Sequence, residues 1–206
     1  MLYYKTIDTK LLELLKELMS INEFNSLRLV GGTALALQLG HRKSVDIDLF
    51  GNYRDDIDFL RLLSFTGKKV SWIKRSPNIN IFEINNIKID FVNYNYPWID
   101  KLIKKDHLRL ASIEDIAAMK INAITGRGAK KDFIDLYFLL KKYSLQDIFG
   151  FYQKKYNNND LILPLKSITY FEDADREETP EMIKQVKWDQ VKNSIKRHVE
   201  EYIRKL

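Results

Sequence analysis

Near the start of the chain, apolar residues recur at helical spacing. Leu11, Leu14, Leu15, Leu18 and Met19 form one stripe, with Asp8 placed to cap the helix. The pattern then shortens. Leu27 to Val30 is a β-rich run that stops at Gly31-Gly32, and Thr33 to Leu39 returns to helix-forming composition. In Val45-Asp46-Ile47-Asp48-Leu49-Phe50 the alternation has a period of two. Val45, Ile47 and Leu49 are expected on one face of a strand, Asp46 and Asp48 on the other. An acidic turn (Asp55, Asp56, Asp58) opens a short helix that reaches Ser64. Strands are predicted over 70–73, 80–84 and 87–92, the last two joined by Asn85-Asn86, a composition suited to a two-residue hairpin turn. Ile87, Ile89 and Phe91 share a face of the third strand and leave Asp90 on the other.

Beyond Pro97-Trp98 the spacing turns helical, which puts a boundary near residues 95–110. Ser112 to Asp115 reads as a capping box, followed by the stripe Ile113, Ile116, Ala117, Ile121 and Ile124, with Lys120 inside it. Gly126-Arg127-Gly128 breaks that helix. The next begins at Lys130-Lys131-Asp132, with Asp132 and Asp135 on one face and Phe133, Leu136, Tyr137 and Leu140 turned inward. Ser144 to Asp147 caps a helix running to Tyr156, and Asn157-Asn158-Asn159 ends it. Residues 163–180 read as loop with an acidic, solvated run. The last helix follows, with Val191, Ile195, Val199, Tyr202 and Ile203 inward and a basic outer face. The expected fold is α/β (α+β), a small mixed sheet in residues 1–100 followed by a mostly helical part in 101–206.

Composition narrows the class. At 206 residues, with 45% hydrophobic and 30% charged residues, the chain is an ordinary globular protein able to bury a core. It has no cysteine, which excludes disulfides and thiolate metal sites, and no run approaching a membrane span. A cytoplasmic protein is expected, with no membrane partner. The net charge of +6 is uneven: residues 101–206 carry 21 Lys/Arg against 16 Asp/Glu and supply +5 of it. A basic excess of that size is a weak pointer to a polyanionic partner. The three histidines, His41, His107 and His198, lack metal-ligand spacing.

Chemistry concentrates in residues 27–50. Paired glycines at a strand-to-helix junction let backbone N–H groups approach an anion at the positive end of a helix. Asp46 and Asp48 on one strand face repel each other unless a cation lies between them, and hard carboxylate oxygens suit Mg²⁺. An edge strand with its polar face in solvent is the plainer account of Asp-x-Asp. Asp90 is either an exposed polar residue or a third carboxylate on a neighbouring strand. Lys120 either snorkels to a rim or reaches a buried anion. Asp132 and Asp135 could simply offset a helix dipole.

Gly31-Gly32, thirteen intervening residues and Asp46-Ile47-Asp48 resemble the first motif of the DNA polymerase β-type nucleotidyltransferase superfamily. The longer stretch GGTALALQLGHRKSVDIDLF, with KINAITGRGAKKDFIDLYFLL further on, is similar to the AbiEii-type nucleotidyltransferases, toxins of bacterial toxin–antitoxin pairs. The resemblance covers roughly residues 27–206. It implies transfer of a nucleoside monophosphate from an NTP to an acceptor, in a phage-defence toxin with a cognate antitoxin. The 3′ end of tRNA is the implied acceptor, a protein hydroxyl the alternative. It further implies a two-Mg²⁺ site on Asp46, Asp48 and Asp90, with Lys120 and Asp132 in the active site and residues 101–206 completing it. Gly31, Gly32, Thr33, Arg42 and Lys43 would bind the nucleotide, as would Arg127 and Lys131, with Asp135 a further candidate. One departure stands out: the superfamily often has Gly-Ser where this chain has Gly-Gly-Thr, so the hydroxyl is displaced by one residue. A non-catalytic relative that only binds nucleotide or antitoxin is the reading from another class.

Overall fold

The computed structural model describes residues 1–54, 56–64 and 67–205. Asp55 of the expected acidic turn lies outside them. Within the described residues, one seven-stranded mixed sheet carries the helices, with strand order β3-β4-β5-β2-β1-β7-β6. The strands are β1 (Arg28–Leu29), β2 (Ile47–Gly51), β3 (Val70–Arg75), β4 (Ile79–Ile84), β5 (Ile87–Asn93), β6 (Ile103–Lys105) and β7 (Leu108–Leu110). The predicted strands form where their alternation puts them. Ile47 and Leu49 of β2, and Ile89 and Phe91 of β5, are fully buried. Val45, expected to share their face, instead precedes the strand and is exposed. The Asn85-Asn86 turn has both residues at positive φ (51° and 63°), the backbone of a tight hairpin. The β6–β7 hairpin falls in the expected boundary region and was not foreseen. Its turn, Asp106-His107, also takes positive φ at two non-glycine residues.

Helix α1 (Thr9–Ser20) starts where Asp8 accepts the Leu11 N–H at 2.7 Å, and its whole predicted stripe is buried. Helix α2 (Gly31–Leu39) begins on the two glycines themselves and ends at Gly40 in the left-handed conformation. A short α3 (Phe59–Ser64) follows, its Asp58 accepting the Arg61 N–H. Helices α4 (Ile113–Gly126), α5 (Lys130–Leu140) and α6 (Leu145–Tyr156) come after the sheet. Residues 163–180 are less loop-rich than their composition suggests, holding most of α7 (Ile162–Ser167) and all of α8 (Glu172–Asp175) before α9 (Trp188–Ile203).

One of the caps departs from the simple expectation in an informative way. Ser112 does cap α4 by accepting the Asp115 N–H at 3.0 Å, but the Asp115 carboxylate turns inward. It accepts from the Ile99 N–H at 2.9 Å and from Lys155 Nζ at 2.7 Å, the Asp115 and Lys155 side chains both being fully buried. Lys155 also donates to the Pro97 carbonyl at 3.0 Å and lies 4.5 Å from the Trp98 ring centroid. A charged pair without solvent must be matched this fully to be tolerated. It fastens α6 to the 97–100 segment that closes the sheet region. No helix among the described residues is long and apolar enough to cross a membrane.

Candidate active site

Strands β2 and β5 run parallel and in register, so Asp48 lies directly beside Asp90. Two chain segments 42 residues apart thereby aim their carboxylates from adjacent strands into one cavity of about 480 Å³. Asp46 lines the same cavity from the turn before β2. Burial, then the nearby Asp90 and Asp46 charges, push the Asp48 carboxyl up from 3.8 to about 6. Asp90 is held by Lys88, whose ammonium lies 2.6 Å away, and Asp46 has Lys131 at 3.5 Å.

The two glycines face different side chains, Gly31 the Asp48 carboxylate and Gly32 the Arg42 guanidinium. Gly31 has φ +65°, and a Cβ there would lie 2.1 Å from Asp48 Oδ2. At Gly32 a Cβ would lie 2.4 Å from Arg42 Nη2. The start of α2 is thus pressed against the carboxylate pair, with its first N–H groups lacking helical partners. Gly31→Ala is expected to lose about 2 kcal/mol or more of stability, from the left-handed backbone and the overlap together. Thermal unfolding measures it against Gly150→Ala, which meets nothing within 4 Å in the middle of α6. That control should be neutral or slightly stabilising.

Behind the cavity wall lies a buried ionic network. Arg42 grips Asp135 with two hydrogen bonds, Nε at 2.7 Å and Nη2 at 2.8 Å, while His41 Nε2 lies 2.7 Å from the same carboxylate. Lys120 Nζ is 2.7 Å from both Asp132 and Asp135, and Arg127 Nε reaches Asp132 at 3.2 Å. Asp132 and Asp135 are wholly buried, so they are not solvated acids offsetting a helix dipole. Burial alone would raise Asp135, but Arg42 and Lys120 hold it well below the usual carboxylate range. Burial likewise pulls Lys120 down, and Asp135 and Asp132 outweigh it, leaving the ammonium raised. Burial lowers His41 despite the opposing pull of the Asp135 carboxylate.

The expected site residues therefore separate by position. Gly31, Gly32, Arg42, Asp46, Asp48, Asp90, Lys120, Arg127 and Lys131 line the cavity. Asp132 stands one shell back, its oxygens bonded to Lys120 and Arg127. Thr33 was expected to offer a hydroxyl to phosphate. It is fully buried instead and donates to the Asp46 carbonyl, with Ser44 Oγ 2.9 Å away. Its role here is to tie α2 to the turn that carries Asp46. Lys43 points to Glu181 at 3.9 Å and is not part of the lining. Ser44, which sequence reasoning passed over, lines the cavity 3.3 Å from where a Gly32 Cβ would be. Its place just before the Asp-x-Asp strand was the available signal.

The donor set fits a divalent ion of the Mg²⁺ kind. Carboxylate oxygens from adjacent strands meet in one cavity, and the raised Asp48 carboxyl marks a deficit of positive charge there. Among the described residues no group of three or more His, Asp or Glu side chains is disposed to hold a metal ion. Mg²⁺ asks for less, because it commonly takes one or two carboxylates and fills its sphere with water and substrate phosphate.

Residues 13–205 match the family described as "Nucleotidyl transferase AbiEii toxin, Type IV TA system". An uncharacterized protein of Aquifex aeolicus (strain VF5) is 39% identical over 197 residues, covering 93% of this chain and 95% of that protein. JHP933 from Helicobacter pylori has a similar fold at TM-score 0.64 and 18% identity, with 96% of this chain and 90% of that one covered. The structure of MenT4, a nucleotidyltransferase toxin from Mycobacterium tuberculosis H37Rv, is similar at TM-score 0.57 and 14% identity over 90% of this chain and 79% of that one. With a family match over nearly its whole length, the chain belongs to the AbiEii nucleotidyltransferase toxin family.

Proposed function

We propose that this protein transfers a nucleoside monophosphate from an NTP to the 3′ end of tRNA, releasing pyrophosphate, as the toxin of a toxin–antitoxin pair. The observation that supports it most is the register of Asp48 with Asp90, facing glycines that leave no room for a side chain. Asp46, Asp48 and Asp90 would hold Mg²⁺, which when bound supplies charge neutralisation at the reacting phosphate. The remaining work falls to the chain. The first N–H groups of α2 and the exposed cations Lys131 and Arg127 bind the triphosphate. Asp90, once Lys88 yields it, accepts the proton of the attacking hydroxyl. The bond from acceptor oxygen to the α-phosphorus forms as the bond from that phosphorus to the bridging oxygen breaks. Charge growing on pyrophosphate is met by Lys131 and Arg127. Lys120 and Arg42, fixed by Asp132 and Asp135, keep the near wall positive without moving.

Incubation with Mg²⁺, each labelled NTP separately and total bacterial tRNA tests the reading. Label is expected in the tRNA band for the wild type and in none for Asp46→Ala or Asp48→Ala. Label on protein would replace the acceptor and keep the chemistry. Nucleotide binding without transfer to either would sink the enzyme reading in favour of a binding module.

A further inference from the structure

We infer that the wall of the cavity beyond the carboxylates is a nucleobase seat, where a base stacks on Tyr96 beside Tyr156, Tyr94 and Phe50. The inference rests on the nucleotidyltransferase reading and deepens it.

The cavity is two-ended. Its glycine end carries Arg42, Lys131 and the start of α2, and its other end is aromatic. The strands set the separation. Phe50 follows Asp48 by two residues on the same face of β2, and Tyr94 follows Asp90 by four along β5 and its continuation. At about 3.3 Å per residue, the aromatic wall begins roughly 7 Å from the carboxylates, about one sugar's length away. A ligand with a polyanionic end, a short spacer and a flat ring matches that layout.

The aromatic residues differ in burial: Tyr94 is buried, Phe50 and Tyr156 are partly buried against the core, and Tyr96 is exposed. Tyr96 is 49% exposed where it lines the cavity, so its ring is open to a ligand there. It stands edge-to-face on Tyr156, centroids 4.8 Å apart at 70°, and lies 5.1 Å from Tyr94. The Tyr94 and Tyr156 hydroxyls are bonded to each other at 3.1 Å, and Phe50 packs 5.3 Å from Tyr94. Burial keeps both phenols protonated, Tyr156 being pushed up to about 12, so the wall adds no charge against a nucleotide. The wall is also rigid. Lys155 and Asp115, both fully buried, clamp Pro97, Ile99 and Trp98 immediately after Tyr96. A pre-set aromatic platform gains stacking energy with any base, because every base has a π-face.

The base could belong to the incoming NTP or to the terminal nucleotide of an acceptor strand, and the experiment separates the two. Equilibrium binding with Mg²⁺ is measured for each NTP, for a single-stranded oligoribonucleotide and for inorganic tripolyphosphate, which has no base. The proteins are wild type, Tyr96→Ala, Tyr96→Phe and Tyr156→Leu. Tyr96→Ala is expected to weaken an NTP or the oligoribonucleotide about ten-fold, leave tripolyphosphate unchanged, and be rescued by Tyr96→Phe. Weakening confined to NTP assigns the donor base, and weakening confined to the oligoribonucleotide assigns the acceptor base. Unchanged binding of both in Tyr96→Ala and Tyr156→Leu overturns the seat while leaving the phosphate chemistry standing. Equal weakening of all three probes also overturns it. A wild type that binds no probe refutes the nucleotidyltransferase reading and this inference with it.

Discussion

Replacing Asp48 with asparagine is expected to abolish nucleotidyl transfer and, in the same protein, to raise the melting temperature of the metal-free fold. The two effects share one cause. Asp48 titrates near 6 in the folded chain because burial and two neighbouring carboxylates oppose its charge. In the unfolded chain it titrates at about 4. Its favourable contribution is therefore present below about pH 4 and is lost as pH rises through about 6. At pH 8 the folded protein carries a carboxylate it would be more stable without. Asparagine removes that charge at nearly the same volume, which should return about 1–3 kcal/mol. For a chain of this length that is roughly 2–12 °C. The difference should vanish near pH 4. Added Mg²⁺ should stabilise the wild type and leave the variant unmoved, while transfer falls about 10³-fold or more. Melting curves at pH 4 and pH 8, with and without Mg²⁺, check all of this. A variant less stable than wild type at pH 8 would contradict the repulsion on which the prediction rests.

Replacing Asp135 with alanine should do the opposite, breaking the fold before it touches chemistry. This carboxylate is the sole common partner of His41, Arg42 and Lys120 in the network, and none of the four is solvated. Removing it strands the buried Arg42 and leaves Lys120 with Asp132 alone, a change that costs about 3–5 kcal/mol. That corresponds to a fall in melting temperature of about 6–20 °C. Asp135→Asn keeps the shape and still loses the charge, so it should be nearly as damaging. Because the folded carboxyl sits well below its ordinary range, the stabilisation is present above about pH 4 and is lost only as pH falls through that depressed value. From pH 5 to 8 the wild type and Asp135→Asn should therefore differ by a constant offset in urea titrations. An offset that shrinks steadily across that range would show that the network does not hold Asp135 ionised.

Much of this was legible in the sequence where the signal is local. Period-two alternation in 45–50 and 87–92 put Asp48 and Asp90 on polar strand faces. It could not say that the strands are neighbours, because β3 and β4 intervene and pairing is a property of the whole sheet. The i,i+3 spacing of Asp132 and Asp135 was visible. Their partners were not, since Arg42 meets Asp135 across 93 positions of chain. The resemblance misled at Thr33, whose hydroxyl was expected to bond a phosphate but donates to the Asp46 carbonyl. Local logic was silent on Lys155, which a helix pattern assigns to water and which the fold buries against Asp115. The aromatic wall escaped for the same reason: Tyr94 and Tyr96 precede a proline in what reads as a plain exit from a strand, and Tyr156 joins them from another helix.

The segment around Glu181 to Lys184 braces the loop that supplies Arg42. Its backbone brackets the Arg42 turn: Lys43 donates its N–H to the Glu181 carbonyl, and the N–H groups of Ile183 and Lys184 both donate to the His41 carbonyl. Met182 and Arg42 form a β-bridge. A ribosome delivers these residues long after Gly31, Asp48 and Asp90 have left the exit tunnel. Until then the loop that supplies Arg42 lacks its outer brace, however complete the carboxylate set already is. On synthesis the brace on Arg42 is thus completed only after residues 181–184 have emerged, well after the carboxylates.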